Sequence, residues 1–548
     1  VDPTEPRPVP PAVVDPAAVS VTVVVIGYDD AAHVADAVRS ALAQGPSVAE
    51  VIAVDDCSTD GSGALLDGLA SAQPRLKVVH REVNSGGCGT PRNDGIARAA
   101  SPYVMFLDSD DVLPPGAVDA LLGAAVEHGT EVVSGLCVRR ELPSGREVPW
   151  QPELYAKASV ITHPTRRPRI VHDTLCVNKL YRTDFLREHG IRFPDGTFVY
   201  EDFVFTARVL AAAPRLALIP DPVYVWHVRR AADRLSLSLD RSGIANWQAR
   251  LDAHRKAVEI LLAASQKRLA GAARAHFLDH SLRMYARELD LRGEDYRAEW
   301  WRRTRAYLET FDVADFEAAP APGRVVGRLV LAAPEPRDLC RIKEVASRPA
   351  QLRPPYARLP DGTPVWSRDL PQVPLDHLLH RPMDLLPVAV DGELRPRARG
   401  TRLTLRLHEL YGRVADAGPC GVDVELLDRQ HGTVVQRRTA AFTALPDDEL
   451  WTATVLLDLS ALTTPGGGQG TWDIRLRLRF ADGSHRDTTA HAVRGPGLLR
   501  RVAVPSRRHG VLLAQPYATH SGTIALRTAP GLRGAAQVVR RRAARLLH

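Results

Sequence analysis

The chain has 548 residues, 45% hydrophobic and 25% charged, with a formal net charge of +7. At roughly 100–200 residues per domain this is material for about three domains, and the composition excludes a collagen-like or disordered polymer. The basic excess is consistent with an anionic partner or an arginine-rich proteome. No nucleic-acid partner is expected, because there is no zinc-finger spacing, no heptad run beside a basic region and no aromatic RNA-binding motif.

Residues 1–19 are Pro-rich and lack the charged-then-apolar order of a signal peptide, so they read as a flexible arm. Residues 20–26 (SVTVVVI) form a continuous β-branched run, the pattern of a strand buried on both faces. Strand runs recur at 50–55 (EVIAVD), 76–80 (LKVVH) and 103–108 (YVMFLD). Helical spacing covers 32–43, 61–72, 91–100 and 115–128 between and after them. Repeated units of this length predict a mostly parallel sheet with right-handed crossovers. Its ligands bind outside the carboxyl ends of the strands. This α/β domain is expected over 20–240.

Residues 241–320 turn helical, with apolar periodicity over 247–264 and 272–291. Residues 321–374 are interrupted by proline and read as a linker region. From 375 to 530 the pattern is short alternating strands, among them 401–407 (TRLTLRL), 421–427 (GVDVELL), 433–438 (TVVQRR), 451–457 and 472–480 (WDIRLRLRF). These predict a C-terminal antiparallel β-sandwich. Residues 531–548 form a basic tail with amphipathic helical spacing, which either lies on an anionic membrane surface or frays in solvent.

Six cysteines stand at 57, 88, 137, 176, 340 and 420 with no CxxC pair, so neither a zinc site nor a redox motif is expected. Scattered thiols in a chain this long fit a reducing cytoplasm. No apolar run reaches the roughly 18–20 residues of a membrane span.

The polar clusters at the strand ends carry the chemistry. Asp108-Ser109-Asp110 leaves an apolar strand, and two carboxylates two residues apart suit one oxygen-seeking divalent cation. Such a cation neutralises diphosphate charge and assists a leaving group. Alone, this triplet occurs in any acidic turn. Gly27-Tyr28-Asp29 follows the first strand and Asp55-Asp56-Cys57-Ser58-Thr59-Asp60-Gly61 the second. The run Asn84 to Gly95 (NSGGCGTPRNDG) pairs glycine freedom with Arg92 and Asn93 at a helix start, a setting that favours phosphate. Glu201-Asp202 opens an apolar helix further on, where a plain N-cap is the alternative. Asn178-Lys179-Leu180-Tyr181-Arg182 faces either a phosphate or solvent.

This ordered set resembles glycosyltransferase family 2, enzymes of the GT-A fold. The runs that carry it are VDDCSTDG, GCGTPRNDGI, the DSD triplet and EDFVF, over about residues 20–230. The helices and sandwich that follow are similar to the wall-teichoic-acid polyribitol-phosphate N-acetylglucosaminyltransferases, whose C-terminal sandwiches trimerise. The resemblance implies a Rossmann-like GT-A domain, then a helical segment and the sandwich. It implies an inverting transfer of an N-acetylhexosamine or hexose from a UDP-sugar to a hydroxyl of a cell-wall polymer, such as a teichoic-acid-like polyol-phosphate glycopolymer. Other acceptors, a capsular or extracellular polysaccharide or a small metabolite, remain open, as does a non-catalytic glycan-binding protein.

By the same resemblance Asp202 is the general base and Glu201 orients acceptor or sugar. Tyr28, Asp55, Asp56, Arg92, Asn93, Asp108 and Lys179 bind the donor. Asp110, Asp108 and His227 hold manganese or magnesium. A sandwich that either builds a homotrimer or binds glycan, and a cytoplasmic enzyme with peripheral contact at the inner face of the cell membrane, complete the expectation. Asp29 departs from the Asn usual after the first-strand Tyr.

Overall fold

The structure is a computed structural model that describes residues 19–229, 240–397, 400–445, 450–459, 462, 469–493, 495, 498–506 and 510–531. The N-terminal arm up to residue 18 and the basic tail from 532 lie outside the described residues. The chain divides into two compact units, Val1–Phe277 and Leu278–His548.

The first unit opens with β1 (Val21–Gly27), α1 (Val34–Leu42), β2 (Val48–Asp55), α2 (Ser62–Ala72), β3 (Leu76–His80), α3 (Gly89–Arg98), β4 (Tyr103–Asp108) and α4 (Ala117–His128). It continues with β5 (Val132–Glu141), β6 (Arg146–Pro149), β7 (Ser159–Ile161), β8 (Lys179–Arg182), α5 (Thr183–Glu188), α6 (Glu201–Ala211), β9 (Leu216–Val228), α7 (Ile244–Ala263) and α8 (Lys267–Phe277). Among the described residues nine strands form one sheet in the order β3-β2-β1-β4-β8-β5-β9-β7, with β6 on β5. β1 pairs in parallel with both β2 and β4, while β8 runs antiparallel to β4 and β5.

The apolar runs become strands buried on both faces, because helices cover each side of the sheet. The strand order reverses at β1, so a crevice opens where β1 and β4 end. Helix α3 lies close against β1. A Cβ placed on Gly95 would come 2.2 Å from Val24 Cγ1, so only glycine allows that approach.

Helices α7 and α8 belong to this first unit, so its boundary falls after Phe277 and not at residue 240. Contacts explain why. Tyr200 donates its hydroxyl to Asn246 Oδ1 at 2.9 Å, and Arg250 stacks on the rings of Tyr200 and Phe203. Trp247, Leu251 and Leu261 of α7 are buried.

In the second unit the helical run expected over 272–291 does not continue unbroken. After α8, Leu278–Leu282 make a π-turn, and α9 covers Arg283–Ala286. Helices α10 (Glu294–Leu308), α11 (Val313–Ala318), α12 (Ala321–Ala332) and α13 (Leu339–Ala346) follow. Residues 321–374, expected as a linker, are therefore folded in large part. α12 buries Val325, Val326, Leu329 and Val330. Pro320 and Pro322 stand at its start, where a helix needs no donated N–H.

The sandwich is built from β10 (Ala357–Arg358), β11 (Pro364–Val365), β12 (Val390–Arg395), β13 (Thr401–His408), β14 (Pro419–Asp428), β15 (Val434–Ala441), β16 (Thr443–Leu445), β17 (Leu450–Leu457), β18 (Gly470–Phe480), β19 (His485–Thr488), β20 (His491–Ala492), β21 (Val502–Ser506), β22 (Gly510–Ala518) and β23 (Ile524–Pro530). Described strands form sheets in the orders β16-β17-β13-β12-β20 and β15-β14-β18-β23-β22-β21, with β19 on β18 and a separate β10-β11 pair. Pairing in the two large sheets is antiparallel except between β12 and β20. Strand β18 alternates as its sequence demands, burying Trp472, Ile474, Leu476, Leu478 and Phe480.

Candidate active site

Three loops meet at the carboxyl ends of β1, β2 and β4. Tyr28 leaves β1 with 39% of its surface exposed. Asp29 follows with a φ of 47°, and its Oδ1 accepts the Thr59 amide at 2.7 Å. An Asn would offer the same carbonyl-type acceptor, so the Asp at this position keeps the turn. Asp30 receives the Ser109 hydroxyl on Oδ2 at 2.7 Å, which ties the β1 loop to the β4 loop.

Asp55 and Asp56 are buried. Asp55 accepts the Ser58 amide at 3.2 Å and pairs with His80 at 3.2 Å. Asp67, and then Asp55, raise the pKa of that imidazole. Asp56 pairs with Arg81 Nε at 2.8 Å and accepts the Ser85 hydroxyl at 2.7 Å. Asp56 thus holds the glycine-bearing segment 84–87 in place.

Arg92 is the node of the site. It is 2% exposed and donates to three carboxylates: Glu201 Oε1 at 2.6 Å, Asp202 Oδ1 at 3.3 Å and Asp108 Oδ1 at 2.6 Å. It therefore joins α3, the end of β4 and the start of α6. Burial, with Asp202 alongside, pushes the Glu201 carboxyl up to about 7. Burial also raises Asp202, against the pull of Arg92 and of Cys176. The Cys176 amide donates to Asp202 Oδ2 at 3.4 Å. Two buried carboxylates with raised pKa beside one guanidinium are suited to proton transfer.

The β4 loop carries more negative charge than its neighbours offset. Asp110 is 43% exposed and pairs with Arg229 at 3.4 Å. Burial, and then Asp108, push its carboxyl up to about 6. Asp111 is buried and accepts the Tyr224 hydroxyl and the His227 amide, each at 2.7 Å. His227 directs Nδ1 to the Asp110 carbonyl at 3.0 Å, so it stands next to the triplet with that nitrogen engaged by backbone. Among the described residues no group of three or more His, Cys, Asp or Glu side chains is preset around a metal ion. The hard oxygens of Asp108 and Asp110 nevertheless fit a divalent cation in chemistry and in charge.

Two expected donor residues lie apart from this cluster. Asn93 is buried, donating to the Phe193 carbonyl at 3.0 Å and accepting the Phe193 amide at 2.9 Å. Lys179 is also buried, and its ammonium goes to Asp173 at 2.7 Å and Asn178 Oδ1 at 3.1 Å. Tyr28, Asp55, Asp56, Arg92, Asp108, Asp110, Glu201, Asp202 and His227 all line or support the crevice.

Residues 22–190 match the model described as Glycosyl transferase family 2. This part of the chain is thus similar to glycosyl transferase family 2 domains. The poly(ribitol-phosphate) β-N-acetylglucosaminyltransferase TarS of Staphylococcus aureus is 33% identical over 187 residues, 34% of this chain and 31% of that protein. The poly(ribitol-phosphate) β-glucosyltransferase of Bacillus spizizenii is 29% identical over 263 residues, 48% of this chain and 39% of that protein. The matches thus span about a third of the length of these curated relatives. The crystal structure of S. aureus TarS shares the fold over 93% of this chain and 85% of that one, at a TM-score of 0.52 and 18% identity.

Several residues of this site carried no signal in the sequence. Ser109 lies within the acidic triplet, and Asp30 and Asp111 directly follow the two quoted runs, yet nothing there says which acid faces inward. Arg229 follows a strand as one arginine among many. Its proximity to Asp110 arises only because Val112 and Val225 bridge the two chain segments.

Proposed function

We propose that this chain is an inverting glycosyltransferase, moving an N-acetylhexosamine or hexose from a UDP-sugar to a hydroxyl of a polyol-phosphate cell-wall polymer. The observation that carries it is the bridge from Arg92 to Asp108 on one side and to Glu201 and Asp202 on the other. It sets a triplet suited to a donor diphosphate beside a carboxylate suited to an acceptor hydroxyl. The poly(ribitol-phosphate) transferases among the relatives support the choice of acceptor.

In this reading Tyr28, Asp55 and Asp56 frame the nucleoside, and Asp108 and Arg92 organise the donor side. Asp110 and Asp108 would hold a divalent cation, manganese or magnesium, which neutralises diphosphate charge when bound. The acceptor oxygen attacks the anomeric carbon as the bond to the diphosphate oxygen breaks. Asp202 takes the hydroxyl proton in that step, and Glu201, paired to Arg92, fixes its orientation. One displacement inverts the anomeric centre and needs no covalent nucleophile.

The second unit is read as an assembly module, forming a homotrimer. Strand β15 is an edge of its sheet and exposes Val434 and Val435, each 45% accessible. An uncovered apolar edge favours association. No described helix is long and apolar enough to cross a membrane. Peripheral contact with the inner face of the membrane through the basic tail rests on sequence alone.

The test is a donor screen with manganese, reading nucleoside diphosphate release with and without polyribitol phosphate. Release stimulated by the polymer is expected. Absence of release with any UDP-sugar refutes the transferase reading.

A further inference from the structure

Lys179 and Asp173 form a buried ion pair that the proposed reaction does not use. Their side chains are 4% and 0% exposed. All three ammonium hydrogens are engaged, by Asp173 Oδ2, the Leu175 carbonyl and Asn178 Oδ1. Asp173 also accepts Trp150 Nε1 at 3.0 Å, Asn178 Nδ2 at 3.0 Å and the Tyr155 hydroxyl. A pair buried this deeply is a poor source of stability, since desolvation offsets its attraction. What it does achieve is closure: it fastens both ends of the segment 173–179.

The apex of that segment is Cys176, whose amide meets Asp202 Oδ2 at 3.4 Å. The Tyr181 hydroxyl steadies the apex from behind, donating to the Cys176 carbonyl at 3.0 Å. The segment is also tied to the helix that carries Asp202. Thr206 Oγ1 donates to the Thr174 carbonyl at 3.1 Å. Thr206 lies four residues after Asp202, on the same face of α6.

The geometry points to segment 173–179 as a positioning device for Asp202, with the Lys179–Asp173 pair closing it, Thr206 fixing it to α6 and Cys176 aiming the carboxylate. This rests on the reading of Asp202 as the base. Without the amide on Oδ2, Arg92 alone would orient the carboxylate and would draw it toward Asp108. With it, Oδ1 faces the guanidinium and Oδ2 is held at the loop. Asp173, Lys179 and Thr206 are thus positioning residues that touch no substrate.

The test compares Thr206→Val with Thr206→Ser in the full chain, because both leave the buried pair intact. Thr206→Val keeps the shape and loses the hydroxyl. Its kcat should fall roughly tenfold, as small misplacements of a reacting group do, with the KM for the UDP-sugar unchanged. Thr206→Ser, which keeps the donor, should recover most of the rate. An unchanged kcat in the Val variant, equal losses in both variants, or a loss carried by KM overturns the proposal. Asp202→Asn runs alongside: a full rate there overturns the base reading itself. Hydrogen exchange at the Cys176 amide, measured without substrate, decides the positioning question independently. Faster exchange in Thr206→Val but not in Thr206→Ser is expected, and equal exchange in the two overturns it.

Discussion

Arg92 and Asp108 are joined at 2.6 Å through Nη2 and Oδ1, while the other amino group of the same guanidinium, Nη1, serves Glu201. The fork is what matters. A lysine carries the charge on one atom and cannot hold two carboxylates at fixed angles. Arg92→Lys should therefore fold but lose transfer by about 10² or more, by analogy with other misplaced catalytic groups. Arg92→Met leaves Glu201 and Asp202 without their cation. It should destabilise the first unit by about 3 kcal/mol, the low end for a broken buried pair because Asp108 is partly solvated. Urea unfolding and a transfer assay on both variants check the two effects.

Asp202→Asn removes the proton acceptor and little else. Transfer should fall by about 10²–10⁴ with UDP-sugar binding nearly intact. The pH profile carries a second expectation. Burial raises Asp202 and pushes Glu201 up to about 7, so the pair takes up a proton while an isolated carboxylate would still be ionised. A base must be deprotonated to act, so kcat/KM should fall on the acid side at a higher pH than an ordinary aspartate would give, and recover above it. An acid limb no higher than that of an unperturbed carboxylate would place the base elsewhere.

How much of this was legible before the structure depends on whether the signal is local. The runs that became β1, β2 and β4 read as buried strands because branched apolar residues fill them without alternation. The helices between them begin one or two residues from the expected positions, and α2 and α4 end where expected. The Arg92 bridge was not legible, since its partners stand 109 and 110 residues away and no spacing links them. Lys179 illustrates the opposite error. A lysine at a strand end suggests a phosphate-facing charge, and only burial of Asp173 beside it reveals that the charge is already matched. The segment 321–332 misled through Pro320 and Pro322 at its start, where proline begins a helix rather than breaking one.

Asp110 should make cation binding pH-dependent. Its carboxyl is pushed up to about 6 by burial and then by Asp108. A cation competes with that proton, so apparent affinity should weaken as pH falls below about 6 and level off above 7. Asp110→Ala should abolish nucleotide-sugar turnover while the fold survives. Titrating manganese at several pH values, with circular dichroism on the variant, checks both. Full turnover in EDTA would remove the cation from the proposal.

His254 gives the first unit an acid sensitivity separate from the site. Its ring is buried in α7, packed 4.7 Å from Phe277, with Nε2 facing the Ala273 carbonyl at 3.1 Å. Burial lowers its pKa to about 4. In the unfolded chain the imidazole has its ordinary pKa, near 6.5. Between those values the unfolded state binds a proton that the folded state does not, so stability must fall as pH decreases from about 6.5 to about 4. The shift is worth at most about 3 kcal/mol, and it is fully retained above pH 6.5. His254→Gln keeps an amide donor for Ala273 and cannot titrate. It should therefore flatten the stability profile in this window while costing some packing at neutral pH. Hydrogen exchange along α7, followed from pH 7 to pH 4 in both proteins and corrected for the intrinsic rate, reads the local effect. Parallel profiles for the two would show that acid loosens the unit at some other group.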